Sequence, residues 1–136
     1  MNCYLVDTSV WIDFFRQRKT PGVDEFYRIL DRTQHYGITE FIYQEVIQGA
    51  LNEKDFTSLA DYLAAQTFFY PKHHPETYRQ AAQIYFACHR KGVTIHSTID
   101  CLIAQTAIEH DLILLHSDKD FEHIAEIFPA LKLYNA

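Results

Sequence analysis

The sequence is poor in three features that would have indicated particular classes of protein: cysteine, long apolar runs and basic residues. Its three cysteines, Cys3, Cys88 and Cys101, are odd in number and lack metal-type spacing, so neither a disulfide framework nor a zinc knuckle is expected. We interpret them as small buried hydrophobic residues. No apolar segment approaches the roughly 20 residues of a membrane helix, and no basic segment followed by an apolar one begins the chain. The sequence therefore predicts a cytoplasmic protein without a membrane partner.

Basic residues are outnumbered, with 12 Lys and Arg against 18 Asp and Glu and a net charge of −6. This balance argues against a protein that binds nucleic acid mainly through a basic surface, because phosphate contacts need lysine and arginine. It does not exclude a nuclease, since carboxylates around a metal site make the free protein acidic while a bound cation reverses the local field. The candidates for RNA contact are Arg16, Arg18, Lys19, Lys72, Arg90 and Lys91. Each of them fits a solvated role equally well.

The overall composition predicts one packed domain over residues 1–136, because 48% of the residues are hydrophobic and 22% are charged. Apolar strand patterns alternate with helical ones along the chain, which indicates an α/β fold of three layers with a central, mainly parallel sheet flanked by helices. The predicted strands are CYLV, HYGIT, TFFYP, LILLH and LKLY. The predicted helices span 8–18, 23–33, 39–50, 53–65, 75–92 with Pro75 at its first position, 98–110, and a last one from about 118.

Four acids stand where this topology would bring them together. Asp7 and Asp118 follow strands, and ligand sites of parallel sheets lie beyond the carboxyl ends of the strands. Asp100 lies in the first turn of a predicted helix, and Glu45 lies within a helix that follows a short strand. Each acid alone also fits a capping or solvated role. As a set, they predict one carboxylate cluster.

Four converged carboxylates need compensation, since two like charges about 4 Å apart repel by roughly 4 kcal/mol at an effective dielectric near 20. A divalent cation supplies that compensation, and oxygen ligands suit hard ions such as Mg²⁺ or Mn²⁺. Such an ion would polarise a phosphodiester and lower the pKa of bound water.

Three segments, LVDTSVWIDFF, TEFIYQEVIQG and STIDCLIAQTAIEHDLILLHSDKDF, together resemble the PIN domain, and specifically the toxin ribonucleases of the VapBC toxin–antitoxin class. The resemblance spans nearly the whole chain. It implies an Mg²⁺- or Mn²⁺-dependent endoribonuclease that leaves 5′-phosphate and 3′-hydroxyl ends, is usually a homodimer, and is inhibited by a small VapB-like antitoxin. The motif acids that it assigns to metal binding and catalysis are Asp7, Glu45, Asp100 and Asp118.

Several residues beside these acids are further candidates. Asp120 is an alternative to Asp118 at the metal, because a small shift of loop register would exchange them. His96 stands where many relatives carry Arg, so it is a candidate for a phosphate contact, although a local hydrogen bond is the simpler role. The candidate substrate-binding residues are Thr8, Ser9, His96 and Ser117, of which the first two also fit capping roles.

Other functions leave distinct signatures in sequence. A non-catalytic PIN-like module that binds RNA or a partner would lack a motif acid, and none is missing. An aspartyl phosphotransferase would carry an acid two residues after Asp7, where Ser9 stands. A metal-free mechanism would have to use histidines, for which His73, His74 and His96 are the candidates.

Aromatic residues are concentrated near the amino terminus of the chain. Trp11, Phe14 and Phe15 fit base stacking or, more simply, core and dimer packing. Together Phe14, Phe15, Phe26 and Tyr27 exceed what one small core needs, which predicts apolar grooves that bind a partner chain.

Overall fold

A computed structural model describes residues 2–134. Strands and helices alternate over this range. In chain order they are β1 (Cys3–Val6), α1 (Thr8–Phe15), α2 (Pro21–Asp31), β2 (His35–Gly37), α3 (Glu40–Gln48), α4 (Glu53–Ala64), α5 (Glu76–Arg90), α6 (Thr98–Glu109), β3 (Ile113–Leu115), α7 (Lys119–Ile127) and β4 (Lys132–Leu133).

The four strands form one parallel sheet in the order β2-β1-β3-β4. In the centre, Leu5 pairs with Gly37 on one side and Leu114 on the other, and the apolar side chains of β1 and β3 are buried. The backbone N–H of Asp7 donates to the carbonyl of Leu115 at 2.9 Å, so the pairing continues one residue past β1. The predicted parallel α/β fold is therefore confirmed.

The segment predicted as a strand at 67–71 is not one. It forms a single bridge between Ile38 and Phe68, supported by hydrogen bonds of 2.9 and 2.8 Å on the two sides of Ile38. The chain crosses so close to β2 that a Cβ on Gly37 would lie 2.6 Å from the carbonyl oxygen of Thr67. Pro71 then ends any pairing because it has no N–H. The prediction of a strand here was wrong because its apolar residues pack on the core without extending the sheet.

Helix ends differ from the prediction by a few residues. The first helix ends at Phe15 and not at residue 18. Two residues later, Gln17 takes a left-handed φ of 57°, a conformation that follows many helix ends. The second begins earlier, at Pro21, because the hydroxyl of Thr20 caps it by accepting from Val23 N. Pro75, predicted as the first residue of its helix, is instead the N-cap of α5, which begins at Glu76.

An aromatic cluster fills the core beside α1. Trp11 is 0% exposed, and its ring centroid lies 4.9 Å from that of Phe26 and 5.6 Å from that of Phe15. Phe26 is also fully buried, so its assignment to a partner-binding groove was wrong; Phe14 is half-buried and Tyr27 is 50% exposed. Packing is therefore the role of Trp11, and its Nε1 has no hydrogen-bond partner among the described residues.

The three cysteines are free thiols, with Cys88 and Cys101 buried and Cys3 partly exposed. Burial raises the pKa of the Cys101 thiol to about 12, so this side chain behaves as an apolar group. Within residues 2–134, no helix combines the length and apolar composition needed to cross a membrane.

Candidate metal centre

The first acid of the site is fixed where β1 ends. Asp7 is the N-cap of α1 and is 4% exposed; its Oδ2 accepts hydrogen bonds from Ser9 N at 3.1 Å and Ser9 Oγ at 2.7 Å. The pKa of Asp7 is raised to about 6, chiefly by burial and to a lesser extent by the charge of Glu45, while the hydrogen bonds from Ser9 oppose the rise. Ser9 Oγ also accepts from Ser117 N at 3.0 Å, which ties this acid to the loop after β3.

Glu45 approaches from a different helix. It lies on α3, which starts after β2 because the buried hydroxyl of Thr39 accepts from Ile42 N. The hydroxyl of Thr8 donates to Glu45 Oε1 at 2.8 Å. The first turn of α1 thus holds two acids through adjacent residues, Ser9 for Asp7 and Thr8 for Glu45.

Asp100 lies where the fields of the other acids meet. It sits in the first turn of α6, after the N-cap Ser97, and is 9% exposed. Its pKa is raised to about 7, first by burial and then by the charges of Asp7, Asp118, Glu45 and Asp120. All five acids singled out by the sequence are therefore brought into one electrostatically coupled group.

The tightest part of this group joins α6 to the start of α7. Carboxylate oxygens of Asp100, Asp118 and Asp120 lie within 4.8 Å of one another. Asp118 is the N-cap of α7, and its Oδ1 accepts from Asp120 N at 2.9 Å. Both candidates for the fourth acid are thus beside Asp100.

Asp120 differs from Asp118 because its carboxylate is already engaged by His96. The backbone N–H of His96 donates to Asp120 Oδ2 at 2.8 Å, and His96 Nδ1 lies 3.0 Å from the same oxygen. The His96 side chain is 80% exposed, whereas that of Asp120 is 6% exposed. This pair places a solvent-facing imidazole at the rim of the acid cluster.

The remaining candidates have different positions. The hydroxyl protons of Thr8 and Ser9 are used to hold acids, whereas Ser117 is exposed at the loop after β3 and is held only through its backbone N–H. Sequence reasoning missed His116, whose Nδ1 accepts from Asp118 N at 3.1 Å and whose pKa is lowered by burial. The available signal was its place two residues before a motif acid.

The donor set fits a metal ion. The four charged groups that raise the pKa of Asp100, after its burial, are all carboxylates. Oxygen donors of this kind favour hard divalent ions, whose charge would remove the mutual repulsion. The acidic cluster is therefore able to bind a metal ion.

Comparison with known proteins identifies the family of the chain. The family model described as PIN domain matches residues 4–127. Ribonuclease VapC11 of Mycobacterium tuberculosis (strain ATCC 25618 / H37Rv) is 35% identical over 124 residues, which cover 90% of this chain and 92% of that protein. The VapC ribonuclease Mb1587 of Mycobacterium bovis matches with the same identity and coverage.

Solved structures with the same fold include VapBC complexes. The DNA-bound VapBC from Salmonella typhimurium matches with a TM-score of 0.75 at 20% identity, covering 98% of both chains. VapBC2 from Rickettsia felis, bound to a DNA fragment from the promoter, matches with a TM-score of 0.73 at 18% identity and the same coverage. At these identities the similarity concerns the fold.

Proposed function

The chain belongs to the PIN-domain family and, within it, to the VapC ribonucleases, and we propose that it hydrolyses RNA phosphodiester bonds at the carboxylate cluster around Asp100. It does so as the toxin of a type II toxin–antitoxin pair, in one PIN-like domain that covers residues 1–136. The observation that carries the proposal is the convergence of four other acids on Asp100, whose pKa is raised to about 7. Perturbed acids of this kind are typical of functional sites.

The proposed metal is Mg²⁺ or Mn²⁺, held by Asp7, Glu45, Asp100 and Asp118, with Asp120 as the alternative to Asp118. When bound, the ion polarises the scissile phosphodiester and lowers the pKa of a coordinated water.

The residues around the acids position them and the substrate. Ser9 and Thr8 fix the orientation of Asp7 and Glu45 through hydrogen bonds of 2.7 and 2.8 Å. Asp118 either binds metal or orients the attacking water. His96, held by Asp120 at the rim, contacts an RNA phosphate. Ser117, exposed in the loop after β3, completes the candidate substrate contacts.

The proposed partners are RNA, a VapB-like antitoxin and a second copy of the chain, all in the cytoplasm. The names of the structural relatives describe VapBC complexes, which supports the antitoxin. Large exposed apolar side chains offer contact area for a protein partner. They include Tyr27, Leu51, Phe56 and Tyr62.

The decisive experiment compares Asp100→Asn with wild type in RNA cleavage and in thermal melting with Mn²⁺. Asparagine keeps the size of the side chain but removes one charge, so we expect cleavage to fall by at least about a hundredfold, in the range of lost electrostatic catalysis. The stabilisation by Mn²⁺, about 2.7 kcal/mol at 100 times the dissociation constant, should shrink in parallel. Asp61→Asn, an equal charge change on the exposed face of α4, is the control.

A fully active Asp100→Asn variant with an unchanged Mn²⁺ shift would rule out the proposed site. Chelation should abolish cleavage and Mg²⁺ or Mn²⁺ should restore it. Cleavage that survives exhaustive chelation would instead favour a histidine mechanism, and RNA binding without any cleavage would favour a non-catalytic module.

A further inference from the structure

A cavity adjoins the acid cluster, and the function proposed above assigns no occupant to it. Its volume is about 600 Å³, within the range of small-molecule sites, and it opens between the starts of α2 and α7. We refer to it as the side cavity. The lining residues that matter here are Gly22, Ser117, Asp118, Lys119, Glu122 and Tyr134.

The side cavity and the metal centre share structural parts. Asp118 lines the cavity and belongs to the tightest part of the acid cluster. Ser117, also in the lining, donates its backbone N–H to Ser9 Oγ, which in turn donates to Asp7. A molecule in the side cavity therefore lies next to Asp118, one of the acids of the proposed metal centre.

The charges in the lining favour a neutral occupant over a phosphate. Two carboxylates, Asp118 and Glu122, stand against one ammonium group, that of Lys119. A phosphate would meet net negative charge, whereas the edge of a neutral base would find polar groups of both kinds, and Tyr134 adds an aromatic side chain to the lining.

The space itself depends on a glycine. A Cβ on Gly22 would lie 3.0 Å from Ser117 Oγ and 3.2 Å from Val10 Cγ2, so a side chain there would press on the wall of the side cavity. The absence of that side chain leaves Ser117 in the position from which it reaches Ser9.

We propose that the side cavity binds a guanine of the RNA substrate, in a nucleotide that adjoins the scissile phosphate. Glu122 accepts hydrogen bonds from the N1–H and amino group of the base, and Lys119 donates to its O6 or N7, the pairing that lysine makes with guanine in nucleic-acid recognition. Uracil lacks the amino group and presents a carbonyl oxygen to the carboxylate. This inference rests on the proposed ribonuclease function, for which it names a sequence preference.

The test maps cleavage sites in an RNA library of random sequence for wild type, Glu122→Gln and Glu126→Gln. Glu126 is exposed on the same helix and lies outside the side cavity. Glu126→Gln is therefore the control, because it makes the same change of charge away from the cavity. We expect guanine to be enriched at one fixed offset for wild type and Glu126→Gln, and the enrichment to fall roughly tenfold for Glu122→Gln. Identical profiles for all three, or enrichment of another base at that offset, would overturn the proposal while leaving the ribonuclease function intact.

A second measurement does not depend on cleavage. Guanosine and uridine 5′-monophosphates are titrated into metal-free protein, and the NMR signals of Tyr134 and Lys119 are followed. We expect the guanosine nucleotide to shift them at lower concentration than the uridine nucleotide, and Glu122→Gln to remove the difference. Equal response to both nucleotides in wild type would overturn the guanine pocket, even if no RNA were cleaved. Absence of cleavage together with selective guanosine binding would count against the ribonuclease function alone.

Discussion

Helix α1 borders two regions of opposite character. One is the aromatic cluster around Trp11, in which neutral rings pack at centroid distances of 4.9 to 6.4 Å. The other is the acid cluster around Asp100, in which burial and mutual repulsion raise carboxylate pKa values. Both contact the same eight residues. The contrast teaches that packing on one face of α1 stabilises a fold whose other face gathers charges that destabilise it.

Removing the packing should have the largest effect. Trp11→Ala should lower the free energy of unfolding by about 3–5 kcal/mol, because a fully buried indole leaves a cavity that its neighbours fill only partly. Chemical denaturation measures this loss, with Tyr27→Ala at the exposed edge of the cluster as the control. If Trp11→Ala lowered the free energy of unfolding by less than about 1 kcal/mol, the aromatic cluster would not be the stabilising region of the two.

The acid cluster should make the metal-free protein less stable as pH rises. Folding raises the pKa of Asp7 to about 6 and that of Asp100 to about 7, so between pH 5 and pH 7 the folded protein binds more protons than the unfolded chain. Stability therefore falls through this window and levels off above it. Above pH 5, Asp7 contributes about one pKa unit and Asp100 about two, so at about 1.4 kcal/mol per unit we expect a loss of about 4 kcal/mol between pH 5 and pH 8.

Melting temperatures across this pH range, with and without Mn²⁺, test that expectation. Saturating Mn²⁺ should reduce the slope, because the ion replaces the protons. If the stability of the metal-free protein rose from pH 5 to pH 8, the acid cluster would not destabilise the fold, contrary to the contrast drawn with the aromatic cluster.

Asp100→Asn should stabilise the metal-free protein at pH 8 by about 4 kcal/mol. It removes a charge whose burial and repulsion by the other acids raise the pKa of Asp100 from 3.8 to about 7, and each pKa unit corresponds to about 1.4 kcal/mol. It should also flatten the pH dependence. Chemical denaturation of both proteins at pH 5 and pH 8 measures this difference. Equal stability at pH 8 would mean that the charge of Asp100 does not destabilise the fold.

Ser9→Ala should have the smallest of these effects. It removes the hydroxyl that donates to Asp7 and accepts from Ser117, and the loss of such hydrogen bonds costs about 1–2 kcal/mol. The pKa of Asp7 should rise further, so that tight Mn²⁺ binding requires a higher pH. Calorimetric titration with Mn²⁺ at two pH values tests this, with the exposed Ser58→Ala as the control. An Mn²⁺ affinity that is unchanged at both pH values would show that Ser9 does not support Asp7 in metal binding.

The order of strands and helices along the chain made much of the fold and of the acid cluster predictable. Asp7 and Asp118 follow β1 and β3, which are neighbours in the sheet, and parallel neighbours end at the same edge. Asp100 and Glu45 were predicted from their places on two helices, and the resemblance assigned all four acids to one site. Periodicity could not show that residues 67–71 would cross over Gly37 and form only one bridge, because that depends on contacts between distant segments.

The partners of the acids were also beyond local pattern. His96 and Asp120 are 24 residues apart, and nothing in either neighbourhood indicates their contact. The same holds for Thr8 and Glu45, separated by 37 residues. The sequence therefore predicted which acids gather, whereas the structure was needed to see what holds each of them in place.

Trp11 is the only tryptophan of the chain, and its indole N–H has no hydrogen-bond partner among the described residues. The fluorescence of the protein therefore comes largely from one chromophore in an apolar, water-free environment, which shifts its emission toward the blue. Since Trp11 lies one helical turn after Asp7, its emission reports optically, without a label, whether the helix that carries part of the site is formed.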